Sequence, residues 1–284
     1  MRERFAPSPT GLLHLGHAFS ALTAWDCAQQ SGAEFLLRIE DIDTQRSQPK
    51  FEVAIVDDLH WLGLDWQEAP VRQSERLDVY NSYLNTLIKN NICYPCRCSR
   101  HDIKEALRAP QESSADRGAQ KSIYPGTCQQ RYMSERTVGD AVRLNMKSAI
   151  DRLGGPRKIE KLGYWEGAGP RKWVPLRANN LLYHFGDVVL ARKDIGTSYH
   201  LAVVVDDFDQ QISHVTRGED MSSSTAIHVL LQALLEFSTP IYRHHRLIRD
   251  ENGQRLAKRD DARAIAKFRA QGVSPKGIRD LVGL

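Results

Sequence analysis

An α/β fold with a mostly parallel sheet is predicted by three features of the 284-residue sequence. A strand-like run at residues 2–6 passes through a turn rich in Pro and Gly into a helical pattern at 15–30, where Ala18, Leu22 and Trp25 recur at helical spacing. Glu34-Phe-Leu-Leu-Arg-Ile-Glu-Asp41 is then an apolar run closing in acids, the pattern of a strand buried on both faces, so that strand, helix and strand make one βαβ unit. Far along the chain, Ile212-Ser-His-Val-Thr-Arg217-Gly218-Glu219-Asp220 reads as another strand ending in a charged turn. The β-branched run before it, Tyr199-His-Leu-Ala-Val-Val-Val-Asp-Asp207, reads as a buried strand or an apolar helix returning to the same sheet.

The first strand ends in Arg4-Phe5-Ala6-Pro7-Ser8-Pro9-Thr10-Gly11 and the helix opens near Leu15. Such a junction favours anions, because the first backbone N–H groups of a helix lack intrahelical partners and its dipole is positive there. His14 and His17 stand at that end, three apart on one face, with Gly16 between them where a flat ligand needs close backbone approach. A metal pair is a second reading, but no carboxylate or cysteine follows at ligand spacing. Ligands of such sheets bind at the carboxyl ends of strands, which here hold Arg4 to Ser8 and then Glu40, Asp41 and Asp43.

Residues 50–63 form an amphipathic helix through Val53, Val56, Leu59 and Leu62. Ser74 is expected to cap a third helix, whose Leu77, Tyr80, Leu84, Leu87 and Ile88 pack on one face. Cys93-Tyr-Pro-Cys96-Arg-Cys98 opens an insertion running to about residue 135, with a polar loop at 109–122 followed by Tyr124-Pro-Gly-Thr-Cys128. A small loop-rich insertion without a core of its own needs a staple, which zinc held by thiolates would supply. Cys96, Cys98 and Cys128 give three ligands, Cys93, His101 and Tyr124 compete for the fourth, and free cysteines without metal are the plain alternative. Residues 138–150 and 156–166 read as strands and turns, 221–237 as a helix capped by Ser222 to Ser224, and 241–248 as a strand. After the basic loop Gly253-Gln-Arg255-Leu-Ala-Lys258-Arg259, residues 262–271 and 274–284 read as short helices.

Composition is that of a globular protein, 41% hydrophobic and 26% charged, with no apolar run near the ~20 residues a membrane helix needs. Met-Arg-Glu-Arg runs straight into the first motif, so no signal peptide and a cytoplasmic location are expected. Residues 240–284 hold eleven Lys/Arg against five Asp/Glu, whereas the other 239 hold 28 against 30. A basic end on a slightly acidic body suits a polyanionic partner gripped at one side. Five cysteines, an odd number, argue against a disulfide framework.

R-F-A-P-S-P-T-G followed by H-x-G-H resembles the first signature of class I aminoacyl-tRNA synthetases, in the form of the glutamyl branch. The R-I-E-D-I-D, W-L-G-L-D-W, Y-H-L-A-V-V-V-D-D and H-V-T-R-G-E-D segments resemble the same branch, so the likeness spans the chain. Residues 253–259 correspond to the second signature, K-M-S-K-[SR], with Arg255 and Ala257 departing from it and Lys258 retained. The resemblance implies a Rossmann-type parallel-sheet catalytic domain with a small zinc-binding insertion and a short helical C-terminal segment. Its parts would be residues 1–92 as the first half, 93–135 as the insertion, 136–239 as connective region and second half, and 240–284 as signature loop and helices.

It further implies that His14, Gly16, His17 and Lys258 bind ATP with Mg²⁺, His14, His17 and Lys258 being catalytic. Arg4, Phe5, Ala6, Pro7, Ser8, Glu40, Tyr199 and Arg217 would line a glutamate pocket, with Glu40 on the ammonium group. Two arginines and one acid suit glutamate, because glutamine would leave an arginine without its anion. C-x-C with Y-x-x-x-C resembles the zinc site of a short paralogue of the branch, where a tyrosine oxygen completes the tetrahedron, and on that ground Tyr124 is the expected fourth ligand beside Cys96, Cys98 and Cys128. Only 25 residues follow Arg259, where the family carries a large anticodon-reading part. The expectation is therefore the short paralogue, which activates glutamate without tRNA and esterifies it to queuosine at the wobble position of tRNA(Asp). The partners implied are glutamate and that anticodon loop, with no membrane and a monomeric state. Two rivals are the catalytic half of a split glutamyl-tRNA synthetase charging the tRNA(Glu) 3′ end, and a non-catalytic regulator that binds tRNA or nucleotide.

Overall fold

The structure is a computed structural model that describes residues 1–108, 123–167, 169–248 and 264–284. The polar 109–122 loop and the basic loop with Arg255, Ala257, Lys258 and Arg259 lie outside the described residues. The chain runs β1 (Arg2–Phe5), α1 (Leu15–Ser31), β2 (Glu34–Ile39), α2 (Pro49–Trp61), β3 (Val71–Arg72), α3 (Leu77–Lys89), β4 (Cys93–Cys96) and α4 (Arg100–Arg108). It continues with β5 (Ala141–Leu144), α5 (Met146–Arg152), a single turn α6 (Pro156–Ile159), β6 (Gly163–Glu166), β7 (Lys172–Pro175), the short α7 (Ala178–Asn180) and β8 (Val189–Ala191). The last elements are α8 (Tyr199–Asp209), β9 (His214–Gly218), α9 (Ser222–Leu234), β10 (Ile241–His245), α10 (Ile265–Ala270) and α11 (Pro275–Val282).

Seven strands form one sheet in the order β3-β2-β1-β9-β10-β6-β7, parallel except for the edge pair β6–β7. β1 and β2 are nearly all buried because helices cover both faces; the apolar run of β2 predicts this, whereas β1 buries Glu3 against the Thr216 N–H and Arg243, and Arg4 against Asp207. One layer, built on α1, α2 and the C-terminal helices, is held by Leu22, Leu59, Ile265 and Ile278. The other, built on α3, α8 and α9, is held by Tyr80, Val204, Leu230 and Leu231. From β1 the chain crosses to β2 on one side, and the later strands β9 and β10 lie on the other. The crevice between β1 and β9 is therefore a topological switch point, where sheets of this kind open for ligands. A three-stranded antiparallel sheet, β4-β5-β8, carries the cysteine-rich segment beside it.

Several local expectations change. The 199–207 run, open from sequence between a buried strand and an apolar helix, is helix α8: its apolar side chains pack between the sheet and α3 and α9 while Asp206 and Asp207 are buried with arginine partners. Ser74 does not cap α3: it sits in a 3₁₀ turn at Gln73–Arg76, and its N–H and hydroxyl both donate to Asp41. α9 starts at Ser222 with no side-chain cap, so the three serines do not serve that role. In the 138–166 stretch, read as strands and turns, helical turns α5 and α6 separate β5 from β6.

Candidate active site

Four strand ends, those of β1, β2, β9 and β10, converge on a cavity of about 510 Å³. It is lined by Arg4, Phe5, Ala6, Pro7 and Ser8 from the first strand and its turn, Glu40 after β2, Tyr199 at the start of α8, and Arg217 on β9. His14, Gly16 and His17 close one end. Every described residue expected on the nucleotide and amino-acid side of the site thus lines one space. Ile248, next to the undescribed 249–263 segment, lines the cavity too. Ala264, which follows that segment, pairs with His14 as an isolated bridge. Both residues that flank the undescribed segment holding Lys258 therefore lie at this end of the site.

The H-x-G-H helix start is built by its own histidines. The His14 Nδ1 accepts from the Gly16 N–H at 3.1 Å and the His17 Nδ1 accepts from the His14 N–H at 3.2 Å, a reciprocal capping box. A ring nitrogen that accepts carries no proton, so each imidazole is fixed as the tautomer with its N–H at Nε2, a donor suited to phosphate oxygens. The rings lie 3.8 Å apart. Gly16 has a concrete reason: a Cβ there would stand 3.0 Å from the His14 ring. That is a tighter requirement than the ligand approach expected of it.

The two arginines differ in a way their sequence positions do not show. Arg4, 4% exposed, donates from Nε and Nη2 to Asp207 at 2.9 and 3.4 Å, and Arg38 donates to the same carboxylate at 2.8 Å. Arg217, 7% exposed, has only uncharged partners among the described residues. Its Nη2 donates to Thr225 Oγ1 at 2.6 Å, Nη1 reaches Tyr199 and His228, and Nε points to His244. Burial holds His228 and His244 below the ordinary histidine range, and the Arg217 charge adds to that. A buried guanidinium flanked by neutral groups on a cavity wall is a site for an anion. Across the cavity, burial raises the Glu40 carboxyl above its usual value even with Arg38 and Arg4 nearby. Asp207, Thr225, His228 and His244 were not singled out from sequence, since nothing in their local pattern separates them from core residues.

A second cavity, of about 1040 Å³, shares Ser8, Glu40 and Tyr199 with the first and runs to the cysteine cluster, where Cys98 and Tyr124 line it. Arg46, Arg100, Arg192 and Lys193 lie on its walls.

Cys96, Cys98 and Cys128 place their Sγ atoms within 4.8 Å of one another. The Tyr124 hydroxyl lies 3.4 Å from the Cys96 Sγ and 3.5 Å from the Cys98 Sγ, and the Cys98 and Cys128 sulfurs are 3.5 Å apart. Edges of a tetrahedron around zinc, with bonds of ~2.3 Å to sulfur and ~2.0 Å to oxygen, come to roughly 3.5–3.8 Å. The four residues therefore fit the ion. Cys93 and His101, the other candidates, are outside the grouping.

The family model for the class I tRNA synthetases of the E and Q type, catalytic domain, matches residues 1–284. The glutamyl-Q tRNA(Asp) synthetase of Rhodobacter capsulatus is 48% identical over 289 residues, covering all of both chains. Among solved structures, the glutamate-tRNA synthetase of Elizabethkingia anophelis superposes with a TM-score of 0.76 at 28% identity. The glutamate tRNA ligase of Elizabethkingia meningosepticum, solved with its amino acid, does so with 0.73 at 29%. The chain is covered in full by both, yet spans only 61% and 60% of their lengths. Class I synthetase chemistry uses ATP and Mg²⁺. Among the described residues no helix is long and apolar enough to cross a membrane. With strand ends, histidine pair and whole-length match in agreement, the chain belongs to the glutamyl and glutaminyl class I tRNA synthetases and is a ligase.

Proposed function

We propose that the protein joins glutamate to ATP as glutamyl-adenylate and passes the glutamyl group to queuosine at the wobble position of tRNA(Asp). The observation that carries the first half is Arg217: a buried cation with only uncharged described partners, on the wall of a cavity that also holds Glu40 and the H-x-G-H helix start. The side-chain carboxylate of glutamate would pair with Arg217. Its ammonium would sit by Glu40, whose raised carboxyl would ionise beside a positive charge. Its reacting carboxylate would then face the α-phosphate of ATP near Arg4.

That carboxylate attacks the α-phosphorus, a C–O–P bond forms as the bond to pyrophosphate breaks, and no base is needed because the nucleophile is already ionised. The barrier is the approach of two anions and the charge gathering on phosphate. The Nε2–H groups of His14 and His17 and the N-terminus of α1 supply donors there, with Lys258 as the further cation from the loop. Mg²⁺, when bound with ATP, neutralises phosphate charge. In the second step a hydroxyl of the cyclopentene diol attacks the glutamyl carbonyl, an ester forms, and AMP leaves with the proton. The second cavity adjoins the first through Ser8, Glu40 and Tyr199 and gives room for a nucleoside, and its walls carry Arg46, Arg100, Arg143, Arg192 and Lys193 interspersed with Glu40, Asp43, Asp187 and Asp194. The full-length likeness to a glutamyl-Q tRNA(Asp) synthetase supports this acceptor. Zinc would be held by Cys96, Cys98, Tyr124 and Cys128 as a structural ion, since four protein ligands leave no open position.

The test is glutamate-dependent exchange of pyrophosphate into ATP without tRNA, followed by charging of tRNA(Asp) with and without queuosine. Exchange together with charging of the modified tRNA alone is expected. Equal charging of unmodified tRNA(Asp), or charging of the tRNA(Glu) 3′ end, overturns the acceptor. Absence of exchange overturns the adenylate.

A further inference from the structure

We infer that Glu166 and His244 form a positioning relay for Arg217, holding its guanidinium through an imidazole so that the charge stays available to the side-chain carboxylate of the substrate. The inference rests on the glutamate reading of the site and extends it to specificity. His244 lies on β10 beside Arg217 on β9, in parallel register. Its side chain is 3% exposed. Its Nδ1 is 2.7 Å from Glu166 Oε1, on β6, and its Nε2 is 3.1 Å from the Thr225 hydroxyl and 3.4 Å from Arg217 Nε. A carboxylate can only accept, so Nδ1 carries the proton. Nε2 is left as a lone pair, the one group on the ring that an Arg N–H can approach. Thr225 closes the triangle: its oxygen accepts from Arg217 Nη2 at 2.6 Å, and with Nδ1 protonated its hydroxyl donates to His244 Nε2 at 3.1 Å, sharing that lone pair with the longer approach of Arg217 Nε.

The logic follows from what a direct ion pair would do. A carboxylate against Arg217 would hold it firmly but would compete with the substrate for the same N–H groups, as Asp207 already occupies two donors of Arg4. An imidazole between Glu166 and Arg217 fixes the geometry and keeps the anion one ring away. Glu166 is partly solvated, its side chain 33% exposed, so its own charge costs little to keep. Discrimination follows: a cation with neutral neighbours prefers the carboxylate of glutamate over the amide of glutamine, and prefers it less once a carboxylate is put beside it.

The experiment compares wild type, His244→Glu and His244→Gln in pyrophosphate exchange, varying glutamate, glutamine and ATP separately. His244→Glu is expected to raise KM for glutamate on the order of tenfold or more, with KM for ATP unchanged and the preference for glutamate over glutamine reduced. His244→Gln, whose amide oxygen can replace the Nε2 acceptor, is expected to stay within about threefold of wild type. Equal effects of the two variants, or parallel changes in both KM values, overturn the relay, as does no change in His244→Glu. Histidine ¹⁵N spectra give a readout independent of activity: His244 should show the Nδ1–H tautomer in wild type and lose it in Glu166→Ala. An Nε2–H tautomer in wild type overturns the inference. Wild type without glutamate-dependent exchange instead overturns the glutamate reading, while the spectra still decide the relay.

Discussion

Replacing Asp207 by Asn tests how the floor of the site is held. This carboxylate, 5% exposed, binds two buried guanidiniums: Arg4 through two contacts at 2.9 and 3.4 Å, and Arg38 at 2.8 Å. Asn keeps one acceptor oxygen but turns an NH₂ toward Arg4 Nη2, a donor facing a donor. Arg38 retains Asp206 at 3.9 Å and Glu40 at 3.4 Å, whereas Asp207 is the one carboxylate paired with Arg4 among the described residues. Removing one member of a buried ion pair costs about 3–5 kcal/mol, and the partial compensation at Arg38 points to the lower half of that range. For a chain of this size the melting temperature should fall on the order of 10 °C.

The pH dependence has a definite sign. Burial opposes ionisation of Asp207, but the Arg4 and Arg38 charges outweigh it and hold the carboxyl below the ordinary aspartate range. A carboxyl whose folded value is depressed stabilises fully above its unfolded value, and the contribution is lost as pH falls through the folded one. The gap between wild type and Asp207→Asn should thus be constant from pH 7 down to about 5 and narrow below about 4. Urea unfolding followed by circular dichroism at a series of pH values measures it. A loss under about 1 kcal/mol at pH 7, or a gap that does not narrow in acid, would refute the claim that this carboxylate holds both arginines.

Two further outcomes follow from the geometry. Gly16→Ala puts a methyl 3.0 Å from the His14 ring, so the ring must shift by a few tenths of an ångström and its hydrogen bond to the residue-16 N–H weakens; exchange activity should fall on the order of tenfold while the far-ultraviolet spectrum stays unchanged, as paired kinetics and circular dichroism would report. Cys98→Ser or a strong chelator should lower bound zinc measured by atomic absorption and bring down the melting temperature, whereas Cys93→Ser, outside the cluster, should leave zinc content as in wild type.

The βαβ start, both helix limits around α1 and the buried character of β2 were legible because each depends on local pattern: helical spacing, a Gly at the αL stop, and an apolar run covered on two sides. The ends of β1 and β2 designated Arg4 to Ser8 and Glu40 as cavity residues, since the carboxyl end of a parallel strand is where such sheets bind ligands, whereas Tyr199 and Arg217 were expected there only from the resemblance. Three cysteines were legible as zinc candidates from their spacing and Tyr124 was expected beside them from the resemblance, while their closeness in space is a property of the fold. Helix or strand for 199–207 was also undecided, because an apolar run long enough to be buried satisfies either geometry until its neighbours are known. What only the tertiary structure decided is how the charges are apportioned. Arg4 and Arg217 look alike along the chain, yet one meets a carboxylate 203 residues away and the other meets a threonine and two histidines. Electrostatic partners are set by which strand ends and helices are packed together, and that adjacency is a property of the folded sheet rather than of any stretch of sequence.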